Sequence, residues 1–265
     1  MKKIFYIVCI CFVGVLILYA GRMNFGKQNQ SSRKTRYIPT VSILSKVQEE
    51  NLEQSEKKKV AYLTFDDGPS EVTTLVLDTL KEKEVKATFF LVGEEITRER
   101  ESIVTREKEE GHAIGIHTNT HKKCDLYTSY DSFFKDFKAA KEKIDLTTGD
   151  NVYIHRFPWG SNNGYLKSFY KNVSQELKKQ EIKSFDWNVS GEDSLNDGIS
   201  CNGIIKNVRK DYKKYSQPII LLHDSNSTKN TALALGDIID MIRKDGYEFD
   251  TLNNREPYLF PDSWR

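Results

Sequence analysis

Residues that can bind metals or transfer protons stand at the ends of short β-rich stretches of the sequence. In a sheet of parallel strands the carboxyl ends of the strands share one rim, and substrates bind there. Any one such residue could be a turn or cap residue, but coincidence does not account for five stretches. The residues are Asp66 and Asp67, His117, Arg156, Asp186 and His223. The sequence therefore predicts one active site built from five strand ends.

His117 and His121 are spaced to share one metal ion. They lie one helical turn apart if the chain turns helical after the strand. This pair alone is more typical of surface or capping histidines, but a carboxylate from another strand end, Asp67, favours a metal site. Two imidazoles and one carboxylate leave a position open for water, as in catalytic zinc sites. The prediction is a divalent ion, Zn²⁺ first, with Co²⁺ or another transition metal as alternatives.

Asp66 and His223 are the candidates for proton transfer. Adjacent carboxylates repel one another unless cations compensate, and a metal on Asp67 with Arg156 near Asp66 would do so. Asp66 would then stay ionised as a general base for water, and His223 would protonate the leaving group. The alternative is that the DDGPS segment is only a Gly-Pro loop.

Short strands that alternate with amphipathic helices would position these residues. Apolar residues recur at three- and four-residue spacing between the strand candidates, and Ser70 is a candidate N-cap of the first helix. The alternation requires parallel strands with right-handed crossovers, in a β/α barrel or an open sheet. Seven strands are too few for eight complete β/α units. The strand candidates begin near Val60, Ala87, His112, Val152, Ile182, Pro218 and Tyr247.

The N-terminal part has a different character. An uncharged apolar run at 4–21 follows two lysines and predicts a membrane anchor, because its end fits a signal-cleavage site poorly. Residues 22–57 are polar and predict a stalk. The domains expected are thus an anchor or signal at 1–21, a stalk at 22–57 and a catalytic domain at 58–265.

Composition excludes other classes of protein. The 265 residues carry 40 Lys+Arg and 38 Asp+Glu, a net charge of +2, and the charges are mixed along the chain. A nucleic-acid-binding protein usually has a basic stripe, so nucleic acid is not an expected partner. No CxxC occurs among the four cysteines, which argues against structural zinc. Cys124 and Cys201 are expected to be unrelated thiols, with a disulfide as the alternative.

Five segments within residues 58–252 resemble the motifs of the polysaccharide deacetylases, the NodB-homology or carbohydrate esterase family 4 domain. They are TFDDGPS, HTNTH, RFPWG, the segment around Asp186, Trp187 and Asn188, and LLHD. The last two segments look most like those of membrane-anchored peptidoglycan N-acetylglucosamine deacetylases of Gram-positive bacteria. The resemblance implies a distorted (β/α) barrel of about seven parallel strands. It also implies metal-dependent hydrolysis of N-acetyl groups, with release of acetate.

The resemblance implies a role for each matching polar residue. Asp66 would be the catalytic base, held by Arg156, and His223 the acid, oriented by Asp186. The metal ligands would be Asp67, His117 and His121.

The resemblance also implies three substrate-binding residues. Trp187 would wall the groove, Leu221 would line the acetyl pocket, and the backbone N–H of Trp159 would help to hold the oxyanion. The family usually has Tyr or Gly at the position of Trp159, and an indole there would reshape the groove. Aromatic rings near the rim could stack on sugars, although core or surface packing is the expectation for Tyr127 and Tyr165.

The expected substrate is an N-acetylated glycan polymer, peptidoglycan first, met by a catalytic domain outside the cell membrane. The domain would be secreted if the N-terminal segment were cleaved. Alternatives are chitin, poly-N-acetylglucosamine or O-acetylated xylan, and, in another class, a catalytically retired glycan-binding or envelope-assembly protein. Loss of a metal ligand or of the base would support that last class, and none is lost. No protein partner is expected, and the oligomeric state stays open.

Overall fold

Seven short strands rich in β-branched and aromatic residues pair in parallel into one curled sheet. The computed structural model describes residues 58–195 and 198–261. The order across the sheet is β5-β4-β3-β2-β1-β7-β6, so the first strand in the sequence lies near the middle. The strands are β1 (Val60–Asp66), β2 (Thr88–Val92), β3 (Ala113–Thr118), β4 (Ile154–His155), β5 (Lys183–Ser184), β6 (Val189–Ser190) and β7 (Ile219–His223).

The sheet is a half-barrel rather than a closed ring. In the part of the chain that the structure describes, no ladder joins the outer strands β5 and β6. The predicted parallel α/β architecture is confirmed, but the curvature stops short of closure. The strand predicted near Tyr247 is reduced to β8 (Glu248–Phe249), which pairs with the first two residues of β1, and β6 was not predicted.

Helices connect the strands and cover the outer face of the sheet. The predicted cap is confirmed, because Ser70 Oγ accepts a hydrogen bond from Val72 N at 3.0 Å and Thr73 Oγ1 accepts one from Ser70 N at 2.8 Å. The helices are α1 (Glu71–Glu82), α2 (Glu101–Glu109), α3 (Lys123–Leu126), α4 (Tyr130–Thr148), α5 (Tyr170–Lys179), α6 (Cys201–Asp211) and α7 (Lys229–Lys244). Three 3₁₀ turns lie at Gly93–Glu95, Tyr212–Lys214 and Leu252–Asn254.

The side chains of β1 alternate between two apolar clusters. Leu63 and Phe65 are fully buried in the large cluster shared with the helices. Tyr62 belongs to a smaller cluster, and Asp66 shares its face of the strand because side chains two residues apart point the same way. The concave face of the half-barrel therefore leads from apolar packing to the buried carboxylate at the rim.

The predicted anchor at 1–21 and stalk at 22–57 lie outside the described residues. Within the ranges that are described, no helix has the length and apolar character needed to cross a membrane. Cys124 and Cys201 are both free thiols, as expected.

Candidate active site

A change of backbone conformation at Asp67 brings two adjacent carboxylates to one side of β1. Asp66 is the last residue of the strand, and Asp67 has a left-handed φ of 76°. Consecutive strand residues normally point to opposite faces. Here Asp66 Oδ2 lies 4.0 Å and Asp67 Oδ1 3.4 Å from the same atom, Nε2 of His117. Both carboxylates therefore face one site.

Asp67, His117 and His121 offer three metal-ligand atoms within 4.8 Å of one another. Asp67 Oδ1 is buried without a hydrogen-bond partner and lies 3.4 Å from Nε2 of each histidine. His117 Nδ1 is 2.9 Å from the carbonyl oxygen of Arg156, so Nδ1 carries a proton, and in the neutral ring Nε2 presents a lone pair. A carboxylate oxygen and an imidazole lone pair that face each other repel unless a cation lies between them. The three donors thus fit a divalent metal ion.

The two histidines converge without the helical turn that their spacing suggested. His117 lies in β3, whereas His121 follows in a turn with a φ of 52°, before α3 begins at Lys123. Non-glycine residues in this region of the backbone map are strained, and such residues cluster at functional sites. Asp67 and Trp159, with φ of 76° and 61°, share this conformation at the same rim.

Asp136 of α4 holds the turn that carries His121, and the sequence analysis did not identify it. One carboxylate oxygen accepts hydrogen bonds from Thr118 Oγ1 and Asn119 N, both at 2.6 Å. The other accepts from Thr120 N at 3.0 Å and from its hydroxyl at 2.9 Å. The available signal was a carboxylate at a buried position of an aromatic helix face, which requires polar partners.

Arg156 fixes Asp66 from below. Its guanidinium is fully buried, and NH1 donates to Asp66 Oδ1 at 2.8 Å and to Thr64 Oγ1 at 2.7 Å. Nε donates to the carbonyl oxygen of Phe185 at 3.0 Å, and Phe90 covers the guanidinium plane at 4.2 Å. Arg156 therefore compensates the charge of Asp66 and occupies only Oδ1, while Oδ2 remains on the side of His117.

His223 is oriented by Asp193, so the prediction that Asp186 orients it is wrong. His223 Nδ1 lies 2.9 Å from Asp193 Oδ1, and Asp193 Oδ2 accepts from His223 N at 2.7 Å. The physical reason is the unpredicted strand β6, which pairs with β7 and brings the loop that follows it beside His223. Asp186 follows β5, at the opposite edge of the sheet.

The pair formed by His223 and Asp193 sets the protonation of the imidazole. Burial lowers the pKa of His223, but the hydrogen bond and the negative charge of Asp193 outweigh burial and raise the pKa to about 9. The other ring nitrogen, Nε2, lies 3.3 Å from Ser194 Oγ at the open side of the site. His223 is therefore a charged proton donor near neutral pH.

We expect Asp193→Asn to move the alkaline limb of the kcat/KM profile to lower pH. An acid must be protonated to act, so activity falls above the pKa of His223, and removal of the Asp193 charge lowers that pKa. The maximal rate should fall by about 10–100-fold, less than the 10²–10⁴ typical for loss of the acid itself. The matched control is Asp186→Asn, which should leave the alkaline limb in place. A shift in the control and none in Asp193→Asn would restore the original assignment.

Asp186 and Trp187 hold other parts of the site together. Asp186 accepts hydrogen bonds from Ser161 N at 2.8 Å and Phe260 N at 2.6 Å, which ties the loop after β4 to the C-terminal segment. The indole of Trp187 packs edge-on against Phe260 at 4.9 Å and lies 5.7 Å from the guanidinium of Arg156. These contacts are packing contacts, and they do not support the prediction that Trp187 walls the groove.

Trp159 lies beside the metal ligands. Its ring is 4.9 Å from that of His121 and 46% exposed. Among the described residues its backbone N–H has no hydrogen-bond partner, which leaves that donor free for a substrate oxygen. Leu221 is buried two residues before His223 on the same face of β7, and its predicted place in an acetyl pocket stays a prediction.

Comparison with known proteins identifies the family. Residues 53–184 match the sequence model described as polysaccharide deacetylase. The chain is 31% identical over 206 residues to a peptidoglycan-N-acetylglucosamine deacetylase of Bacillus cereus, covering 76% of this chain and 72% of that protein. It is 29% identical over 201 residues to the peptidoglycan-N-acetylmuramic acid deacetylase PdaA of Bacillus subtilis, covering 75% and 72%.

The fold has a counterpart among solved structures. The catalytic domain of a peptidoglycan N-acetylglucosamine deacetylase from Eubacterium rectale superposes with a TM-score of 0.72 at 29% identity. The match covers 79% of this chain and 98% of that domain. Deacetylases of this kind are in general metal-dependent, in keeping with the Asp67, His117 and His121 donors. This chain therefore belongs to the polysaccharide deacetylase family, the carbohydrate esterase family 4 hydrolases.

Proposed function

We propose that this enzyme removes N-acetyl groups from N-acetylglucosamine residues of peptidoglycan and releases acetate. The observation that carries the proposal is the pairing of β1 with β7, which places Asp66 opposite His223 in the register. A base and an acid from neighbouring strands thus flank the Asp67 end of the same rim. The similarity to peptidoglycan deacetylases supports the choice of polymer.

We propose Zn²⁺ as the ion held by Asp67, His117 and His121, with Co²⁺ as the alternative. One carboxylate and two imidazoles are the ligand types and number of catalytic zinc sites. A bound ion would supply Lewis-acid polarisation of a carbonyl oxygen and a lower pKa for water.

The protein's own groups would move the protons. Asp66 Oδ2 takes a proton from the attacking water, since Oδ1 is engaged by Arg156. The hydroxyl adds to the acetamide carbon, and the N–H of Trp159 stabilises the oxyanion, a contribution of about 3–4 kcal/mol for one such donor. His223 Nε2 then donates a proton to the amine nitrogen as the C–N bond breaks. The products are acetate and a glucosamine residue with a free amine.

We also propose that the catalytic domain acts outside the membrane, at the end of the anchor at 1–21 and the stalk at 22–57. Peptidoglycan lies outside the cell membrane, and an enzyme that modifies it must reach it there. The support for this placement is the apolar run itself and the nature of the polymer.

The substrate is tested by acetate release from three polymers at equal acetyl content: peptidoglycan, chitooligosaccharides and acetylated xylan. The proposal predicts the highest kcat/KM on peptidoglycan, because two similar proteins, one by sequence and one by structure, are named as deacetylases of that polymer. Release from xylan alone would make the protein an O-acetyl esterase. If the metal-loaded protein released acetate from none of the three polymers, the result would support the alternative of a catalytically retired glycan-binding or envelope-assembly protein.

A further inference from the structure

We propose that Trp159, Tyr165 and Lys123 form a second binding site for the glycan, which recognises an acidic sugar next to the reacting one. We call these three residues the aromatic subsite. The proposal rests on the proposed function and adds the feature of the polymer that the enzyme would recognise, a carboxylate on the neighbouring sugar. A glycan unit that carries a lactyl or peptide carboxylate is the ligand class.

Two large aromatic side chains of the subsite are about half exposed, although each also contacts other side chains of the protein. Trp159 is 46% and Tyr165 49% exposed, and their ring centroids are 6.3 Å apart with planes at 78°. Two rings at this angle form a corner with two apolar walls. The C–H-rich faces of a sugar ring pack on such surfaces, and adjoining exposed aromatics mark binding sites.

The corner is held rigidly from beneath. Tyr127 is buried, and its ring lies 6.0 Å from Trp159 and 6.5 Å from Tyr165. Its hydroxyl donates to the carbonyl oxygen of Pro158 at 3.1 Å, and Asn163 Nδ2 donates to the same oxygen at 3.1 Å. A preorganised surface costs little conformational entropy when a ligand binds, which favours a binding role.

The subsite adjoins the catalytic centre through Trp159. Trp159 contacts the ring of His121 at 4.9 Å, so the corner begins directly at a metal ligand. The cleft of the catalytic centre that opens at Asp67 and His121 has a volume of about 590 Å³, and neither Trp159 nor Tyr165 lines it. A polymer bound across the centre would therefore have one neighbouring unit on the aromatic subsite.

Lys123 supplies the charge at the outer edge. Its Nζ lies 4.2 Å from the ring centroid of Tyr165 and forms no ion pair within the described ranges. The preceding residue differs, because Lys122 Nζ pairs with Glu94 at 3.2 Å. An exposed ammonium group held over an aromatic face is placed to bind a carboxylate on the sugar that occupies the corner. Chitin offers no such carboxylate, whereas peptidoglycan does.

The test compares two substrates of equal sugar number, a peptidoglycan oligosaccharide with free carboxylates and a chitooligosaccharide, on the full-length metal-loaded protein. The quantity compared is kcat/KM for the peptidoglycan oligosaccharide divided by kcat/KM for the chitooligosaccharide. Lys123→Gln should lower this ratio by about threefold, and Lys123→Glu should lower it by about tenfold. Tyr165→Ala should raise KM for both substrates. Lys122→Gln and Lys122→Glu are the matched controls and should change the ratio less than the Lys123 variants do.

The outcomes separate this inference from the proposed function. Suppose that the wild-type enzyme is active and that the Lys123 variants have the same ratio of the two kcat/KM values as the wild type. This result, or an equal change of the ratio in the Lys122 variants, would overturn the aromatic subsite while leaving the activity in place. A folded, metal-loaded wild-type enzyme that releases acetate from neither substrate would overturn the proposed function itself. Amidation of the peptidoglycan carboxylates should abolish the effect of Lys123→Gln, and persistence of the effect would contradict recognition by charge.

Discussion

Asp66→Asn is expected to lower kcat by about 10²–10⁴, the usual range for loss of a general base, while metal binding stays nearly intact. Asp66 is anchored on Arg156 through Oδ1 and lies outside the group of three ligand atoms. An amide cannot accept the proton of water, but it keeps the size of the carboxylate. The measurement is kcat together with the dissociation constant for Zn²⁺, and added metal should not rescue the rate.

Asp67→Asn is the matched comparison, and it should lose activity because it loses metal rather than because it lacks a base. Asp67 Oδ1 faces both imidazoles at 3.4 Å, so its replacement should weaken metal affinity first. Excess Zn²⁺ should then recover part of the activity. If Asp66→Asn lost the metal and Asp67→Asn kept it, the roles assigned to these neighbouring residues would be reversed.

Removal of the metal is expected to abolish activity, and Zn²⁺ or Co²⁺ should restore it. The physical reason is that Asp67 Oδ1 is buried without a hydrogen-bond partner and lies 3.4 Å from Nε2 of both histidines, a mismatch that a bound ion would relieve. The same mismatch predicts a lower melting temperature for the metal-free protein, because an ion that binds only the native state stabilises it.

Elemental analysis must accompany the metal experiment, since trace ions could sustain turnover. Undiminished turnover by a preparation verified to be free of metal would contradict the metal hypothesis. An unchanged melting temperature on addition of Zn²⁺ would show that Asp67, His117 and His121 do not bind it. The Asp67→Asn variant is the control, because its melting temperature should respond to Zn²⁺ only at higher concentration.

Most residues of the candidate site could be picked out in the sequence because they lie at the ends of strands with strong patterns. β1 and β7 are buried along their length, and the polar residues that end them interrupt an apolar run. Helix α2 buries few of its side chains, Val104 and Glu107, so no apolar periodicity in the sequence indicates it. Helix α5 buries Tyr170, Val173 and Leu177, whose three- and four-residue spacing is the pattern of a helix face, so the sequence does carry a signal for it.

The role of Asp186 was implied by the resemblance, and the strand that places Asp193 at His223 instead is too short to leave a pattern in the sequence. β6 has two residues, and its position is set by pairing with β7 rather than by local preference. Because β6 was not predicted, the sequence did not indicate that the loop with Asp193 lies beside His223. Asp136 was missed for a similar reason, because its partners at 118–120 are brought to it by tertiary packing. Local patterns predict elements, whereas contacts between distant segments decide which carboxylate meets which histidine.

Mass spectrometry of purified peptidoglycan fragments incubated with the metal-loaded enzyme shows which sugar loses its acetyl group. We expect that each N-acetylglucosamine residue acted on loses the mass of one acetyl group, that N-acetylmuramic acid keeps its acetyl group, and that Asp66→Asn leaves the fragments unchanged. Loss of the acetyl group from N-acetylmuramic acid alone would contradict the assigned sugar. Unchanged fragments in the presence of the metal-loaded wild-type enzyme would contradict the assigned reaction.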